Sequence, residues 1–132
     1  MTATPFLEQE DTDAPPFEEQ LLKAAVTPRE QAAIRALVEE EQILARDTFR
    51  RALVWHTDEG FEFSWQNLAC SLYGLGLDES GRAFVDLVLS IASPHQTSLT
   101  RVMDLDERRL AIVLRAMISL SGVDTLAVGT RL

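Results

Sequence analysis

One cysteine, one lysine and no long apolar run set the first bounds on this chain. Cys70 stands alone, so no disulfide can close within one chain, and a single thiol fits a reducing compartment. No stretch approaches the roughly 18–20 apolar residues of a membrane span. The opening, Met1-Thr2-Ala3-Thr4-Pro5, lacks the basic and apolar regions of a secretory signal, and the expected location is the cytoplasm. Bases are scarce: 12 lysines and arginines face 21 acids, for a net charge of −9. Lys23 is the only lysine, an arginine bias that reads as a GC-rich bacterial genome. With no Lys/Arg cluster to offset the acids, phosphate backbones and anionic membrane surfaces are repelled. Neither direct nucleic-acid binding nor membrane binding is expected.

Motifs that carry chemistry are equally sparse. His56 and His95 are the only histidines, so zinc-ligand spacing and the Glu-x-x-His pairs of di-metal helical bundles are missing. The acids around Asp58 and Glu59 do not follow the calcium-loop pattern. No G-x-S-x-G elbow surrounds a serine, and no glycine-rich loop could cradle phosphate. No cofactor and no metal is expected. A catalytic reading would have to rest on His56, Cys70 or Glu41 meeting in a cleft. For Cys70 the simpler expectation is a small buried thiol, and for His95 an exposed surface position.

What is present is helical periodicity. The 132 residues, 46% of them hydrophobic, suit one domain with a single core. Residues 1–16 form an acidic arm holding Glu8, Glu10, Asp11, Asp13 and three prolines without a base; Phe6-Leu7 is its only apolar pair. Such a segment is expected to be disordered. The domain follows over 17–132. A short helix is predicted over 17–26. Thr27-Pro28-Arg29-Glu30 is a capping box opening a long helix over 28–56. The alternative ends that helix before Leu53 and folds Leu53–His56 and Phe61–Phe63 into a hairpin around Asp58-Glu59-Gly60. Ser64 caps the next helix, which Gly74 and Gly76 end, and Asp78 caps a helix over 79–92 that is apolar on nearly every side and so central. A short helix over 94–103 and a last one over 105–121 follow. The last is capped by Asp104, closed by Gly122, and packs through Leu110, Val113, Leu114, Met117 and Leu120. The tail from Val123 is apolar enough to dock along the bundle or against a second subunit. The fold class is therefore all-α: a single compact domain of about six helices, orthogonal or bundle-like.

Glu41 falls inside the apolar arc of the long helix, where a carboxylate needs an arginine, a donor or an interface; Glu39 and Glu40 read as a solvated face. Trp55, Phe61, Phe63, Trp65 and Tyr73 gather the aromatics into about twenty residues. They serve either as the core of a turn or as anchors of a binding surface. Together with Glu41 they are the candidate partner-binding residues. The expected function is a non-catalytic helical interaction or regulatory protein that self-associates, a homodimer. The first alternative is an acidic binder of a basic, nucleic-acid-binding partner protein; the second is a small enzyme with a cleft.

Overall fold

In the computed structural model, which describes residues 16–131, the apolar segment 79–92 takes the central place its composition demands. The Asp78 carboxylate accepts a hydrogen bond from the Gly81 amide at 2.7 Å and opens the helix Glu79–Ala92. A Cβ at position 81 would lie 3.0 Å from that carboxylate, so glycine permits the close cap. Phe84, Val85, Val88 and Leu89 of this helix are fully buried. Each such side chain contributes about 1.5–3 kcal/mol through burial. Its narrow polar line is used: Asp86 accepts from Thr97 Oγ1 at 2.8 Å and Arg101 Nε at 3.3 Å, and pairs with His95 Nε2 at 2.6 Å. The segment 95–101 is thereby held to the helix, and His95 is half-buried in that network rather than free on the surface.

The surrounding α-helices, among the described residues, number five. In chain order the elements are α1 (Phe17–Ala24), α2 (Pro28–Glu40), α3 (Asp47–Leu53), β1 (Val54–Thr57), β2 (Gly60–Phe63) and α4 (Trp65–Ser71), then the central α5 (Glu79–Ala92) and α6 (Glu107–Ser121). Helices α2 and α6 pack on each other and on α5. Two 3-10 turns, Leu72–Gly74 and Leu99–Asp104, join α4 to α5 and α5 to α6. The fold is thus the mostly helical domain expected, with one small hairpin. The arm expected over 1–16 lies outside the described residues except for Pro16.

Helix α2 begins as its capping box requires, with the Glu30 amide donating to Thr27 Oγ1 at 3.1 Å behind Pro28. The Glu30 carboxylate does not close the box; it accepts from Trp65 Nε1 at 3.1 Å and ties α2 to α4. Arg29 reaches across to the end of α5 and donates to the carbonyls of Ser90, Ile91 and Ser93. Those carbonyls have no partner within the helix, and a cation there also opposes the negative end of the helix dipole.

The single helix expected over 28–56 is corrected to two helices and a strand. α2 ends at Glu40 because the Gln42 amide turns back onto the Glu40 carbonyl at 2.7 Å, with Glu41 at φ 60°, ψ −32°. That is a tight three-residue turn, costly for a residue with a side chain. The alternative hairpin is the one formed: Val54 pairs with Phe63, Trp55 with Glu62, His56 with Phe61 and Thr57 with Gly60. Asn67 Nδ2 donates to the Ala52 carbonyl at 3.1 Å and closes α4 against the end of α3.

Three further expectations are revised. The helix over 94–103 is an irregular stretch followed by the 3-10 turn at Leu99–Asp104, packed on α5 through Asp86. The cap of α6 is Asp106, not Asp104: its carboxylate accepts from the Arg109 amide at 2.8 Å, and Gly122 at φ 81° ends the helix as predicted. The buried face of α6 is Arg109, Ile112, Val113 and Ala116, whereas Leu114, Met117 and Leu120 are exposed. Val128–Arg131 of the tail runs beside α6, facing Leu110, Ala111 and Leu114 across a shallow groove.

Candidate functional site

Glu40 is the one fully buried carboxylate among the described residues, at 0% exposure. Its Oε1 accepts from the Ile43 amide at 2.7 Å. Its Oε2 accepts from Arg109 Nε at 3.0 Å and from Arg108 at 3.4 Å. Arg109 in turn meets Asp106 and Asp78. Each oxygen of the carboxylate accepts from at least one donor, so the buried charge is both paired and hydrogen-bonded. Glu41, for which this environment was expected, is exposed at the strained turn, and its side chain makes no hydrogen bond or ion pair among the described residues. Glu39 lies on the half-exposed flank, paired with Arg115.

The hairpin organises the aromatics. Its register puts Val54, His56, Phe61 and Phe63 on one face and Trp55 and Glu62 on the other. The rings form a row: Phe17 to Phe61 at 6.2 Å between centroids, Phe61 to Phe63 at 6.1 Å, and Phe63 stacked on Trp65 at 5.2 Å. The His56 ring meets the edge of Phe61. Of the candidate residues, Phe61, Phe63 and Trp65 are thus brought together, and Trp65 is buried. Trp55 stands apart from the row at 60% exposure. Tyr73, 81% exposed, lies elsewhere beneath the Arg82 guanidinium.

Beyond the Phe17 end of the row opens a groove of about 810 Å³, lined by Phe17, Asp47, Arg50, Arg51, Val54, Trp55 and His56. Arg50 is fixed: its Nε donates to the Leu44 carbonyl at 2.7 Å and its guanidinium lies 4.9 Å over the Phe17 ring. Arg51 pairs with Asp47 at an exposed position. A local excess of base on this acidic protein is therefore built by α3. Sequence reasoning missed it, although Arg46, Arg50 and Arg51 within six residues were the available signal.

The second surface feature also escaped the sequence reading. An uncharged groove of about 260 Å³ runs between α5, the segment 97–99 and α6, lined by Leu87, Ile91, Leu99, Val113, Met117 and Leu120 with Ser90 and Thr97. Leu99 and the neighbouring Met103 are 70% and 82% exposed.

The residues a catalytic reading would need are dispersed. His56 sits on β1, Glu41 at the end of α2, and Cys70 on α4, where it is exposed rather than buried. Among the described residues no hydrogen bond or ion pair joins any two of them, and no group of three or more His, Cys, Asp or Glu could hold a metal ion. Among the described residues no helix is long and apolar enough to cross a membrane. No family model, no curated protein and no solved structure matches the chain.

Proposed function

We propose that the protein is a non-catalytic helical interaction protein that self-associates through the uncharged groove along α6. The observation that carries this reading is the outward display of Leu99, Met117 and Leu120, all large, apolar and exposed, in the lining of that groove, with Met103 exposed on the same 3-10 turn as Leu99. Exposed apolar surface gathered in one place drives association, whereas scattered residues do not. Charge supports the same location. Two copies each carrying −9 repel one another over most approaches, and a face without charged residues gives the smallest penalty. A twofold pairing would let α6 of each copy cover the groove of the other.

Sedimentation velocity on the full chain and on Met117→Glu tests this. The native protein should shift with concentration from 14.7 kDa toward twice that mass. Met117→Glu should remain at the smaller mass with an unchanged circular dichroism spectrum. A native chain that stays monomeric at millimolar concentration overturns the reading.

A further inference from the structure

We propose that the groove between α1, α3 and β1 receives the chain's own acidic N-terminal segment, residues 6–13, folded back onto Arg50, Arg51 and Trp55. This is a separate surface from the α6 groove and rests on different observations. The first is charge. Two arginines against the single acid Asp47 line the groove, on a chain whose net charge is −9. The segment outside the described residues carries Glu8, Glu10, Asp11 and Asp13 and no base. The second is position. The described chain begins at Pro16, and Phe17 is itself a wall of the groove. At about 3.3–3.6 Å per residue the stretch from Phe17 to Asp11 spans up to roughly 20 Å, so the acids are delivered beside the arginines without a long excursion. The third is the match of apolar groups. Phe6-Leu7 is the only pair of large apolar neighbours in that segment, and Trp55 and Phe17 are the aromatic surfaces offered to it.

A tether this short holds the segment at an effective concentration on the order of millimolar, so a weak electrostatic contact is populated.

The experiment uses the full chain and reads Trp55, through its indole NMR cross-peak and through acrylamide quenching. Trp65 is the only other tryptophan and is buried. Two variants remove the complementarity from either side: Glu8→Gln/Glu10→Gln/Asp11→Asn/Asp13→Asn, and Arg51→Glu at its exposed position. Both should move the Trp55 cross-peak and raise its quenching to that of an open indole, as should about 0.5 M salt, which shortens the Debye length to roughly 4 Å. Adding Glu10→Lys/Asp13→Lys to Arg51→Glu should restore protection, which a merely damaged fold would not do. Identical Trp55 signals in the native chain and the neutralised quartet overturn the proposal. Protection that disappears on dilution overturns it too, because the occupant would then be the segment of a second copy.

Discussion

Arg109 and Glu40 meet inside the protein although 69 residues separate them, with Arg109 Nε donating to Glu40 Oε2 at 3.0 Å. The pair joins the first residue of the α6 buried face to the last residue of α2. Because Glu40 is fully buried and Arg109 nearly so, neither charge can recover hydration if the other is removed.

Arg109→Met should therefore cost about 3–5 kcal/mol, read from urea unfolding with an unchanged m-value. Arg108, half exposed, reaches the carboxylate only at 3.4 Å and donates instead to the Glu39 and Glu40 carbonyls, so it neutralises the carboxylate only in part. Glu40→Gln in the same background should recover much of the loss, since the amide oxygen still accepts from Ile43. Equal stability of Arg109→Met and the double variant would show that the charge is not what the arginine serves.

Glu41 presents a separate prediction one residue further on. Its φ of 60° is the only positive value among the described non-glycine residues, and an L side chain there costs roughly 1–2 kcal/mol. Glu41→Gly should raise stability by about 1 kcal/mol, with the gain reduced by the extra freedom of glycine in the unfolded chain. A loss of stability would mean that the Glu41 side chain makes a contact worth more than the strain.

The same two neighbours show what the sequence could and could not disclose. Helix starts were legible because caps are local: Thr27 and Asp78 act within three residues of themselves. The burial of Glu40 instead of Glu41 was not legible, because a wheel drawn through 28–56 assumes one continuous helix. The turn at Glu41 resets its phase. In α6 the apolar residues occupy two adjoining arcs, and periodicity alone does not say which faces inward. The Glu40–Arg109 contact decides that, and its partners are far apart in sequence. The aromatic cluster was legible as a cluster. Its division into a packed row of Phe61, Phe63 and Trp65 and an outlying Trp55 follows from the hairpin register, which assigns opposite faces to residues 55 and 56.

Arg29 offers a test of long-range capping. It closes the end of α5 through three carbonyls, and hydrogen bonds from a charged donor are worth about 1.5–3 kcal/mol each before solvent competition. With part of the guanidinium open to water, Arg29→Met should cost about 1–3 kcal/mol in all. Amide exchange should accelerate at the last turn of α5 and leave its first turn unchanged. Uniform acceleration along α5 would place the effect on global stability instead of on the cap.

Asp106 couples the fold to acid. The hydrogen bond from the Arg109 amide, then that from the Ser80 hydroxyl and the positive charge of Arg109 and Arg108, hold its carboxyl below the ordinary value of 3.8, against the opposing effect of burial. Ser80 Oγ also accepts from the Asp106 amide at 3.1 Å, so the starts of α5 and α6 are joined in both directions. A carboxyl lowered on folding adds stability that is fully present above its unfolded value and is lost as pH falls through the folded one. The native protein should thus lose unfolding free energy from about pH 5 downward more steeply than Asp106→Asn, which cannot titrate. At neutral pH, Asp106→Ala should cost about 1 kcal/mol for the missing cap. Parallel slopes for the native chain and Asp106→Asn between pH 5 and pH 3 would remove Asp106 from the acid response and leave it to Glu79, whose carboxyl is also lowered, by its hydrogen bonds to Arg82 and Arg101.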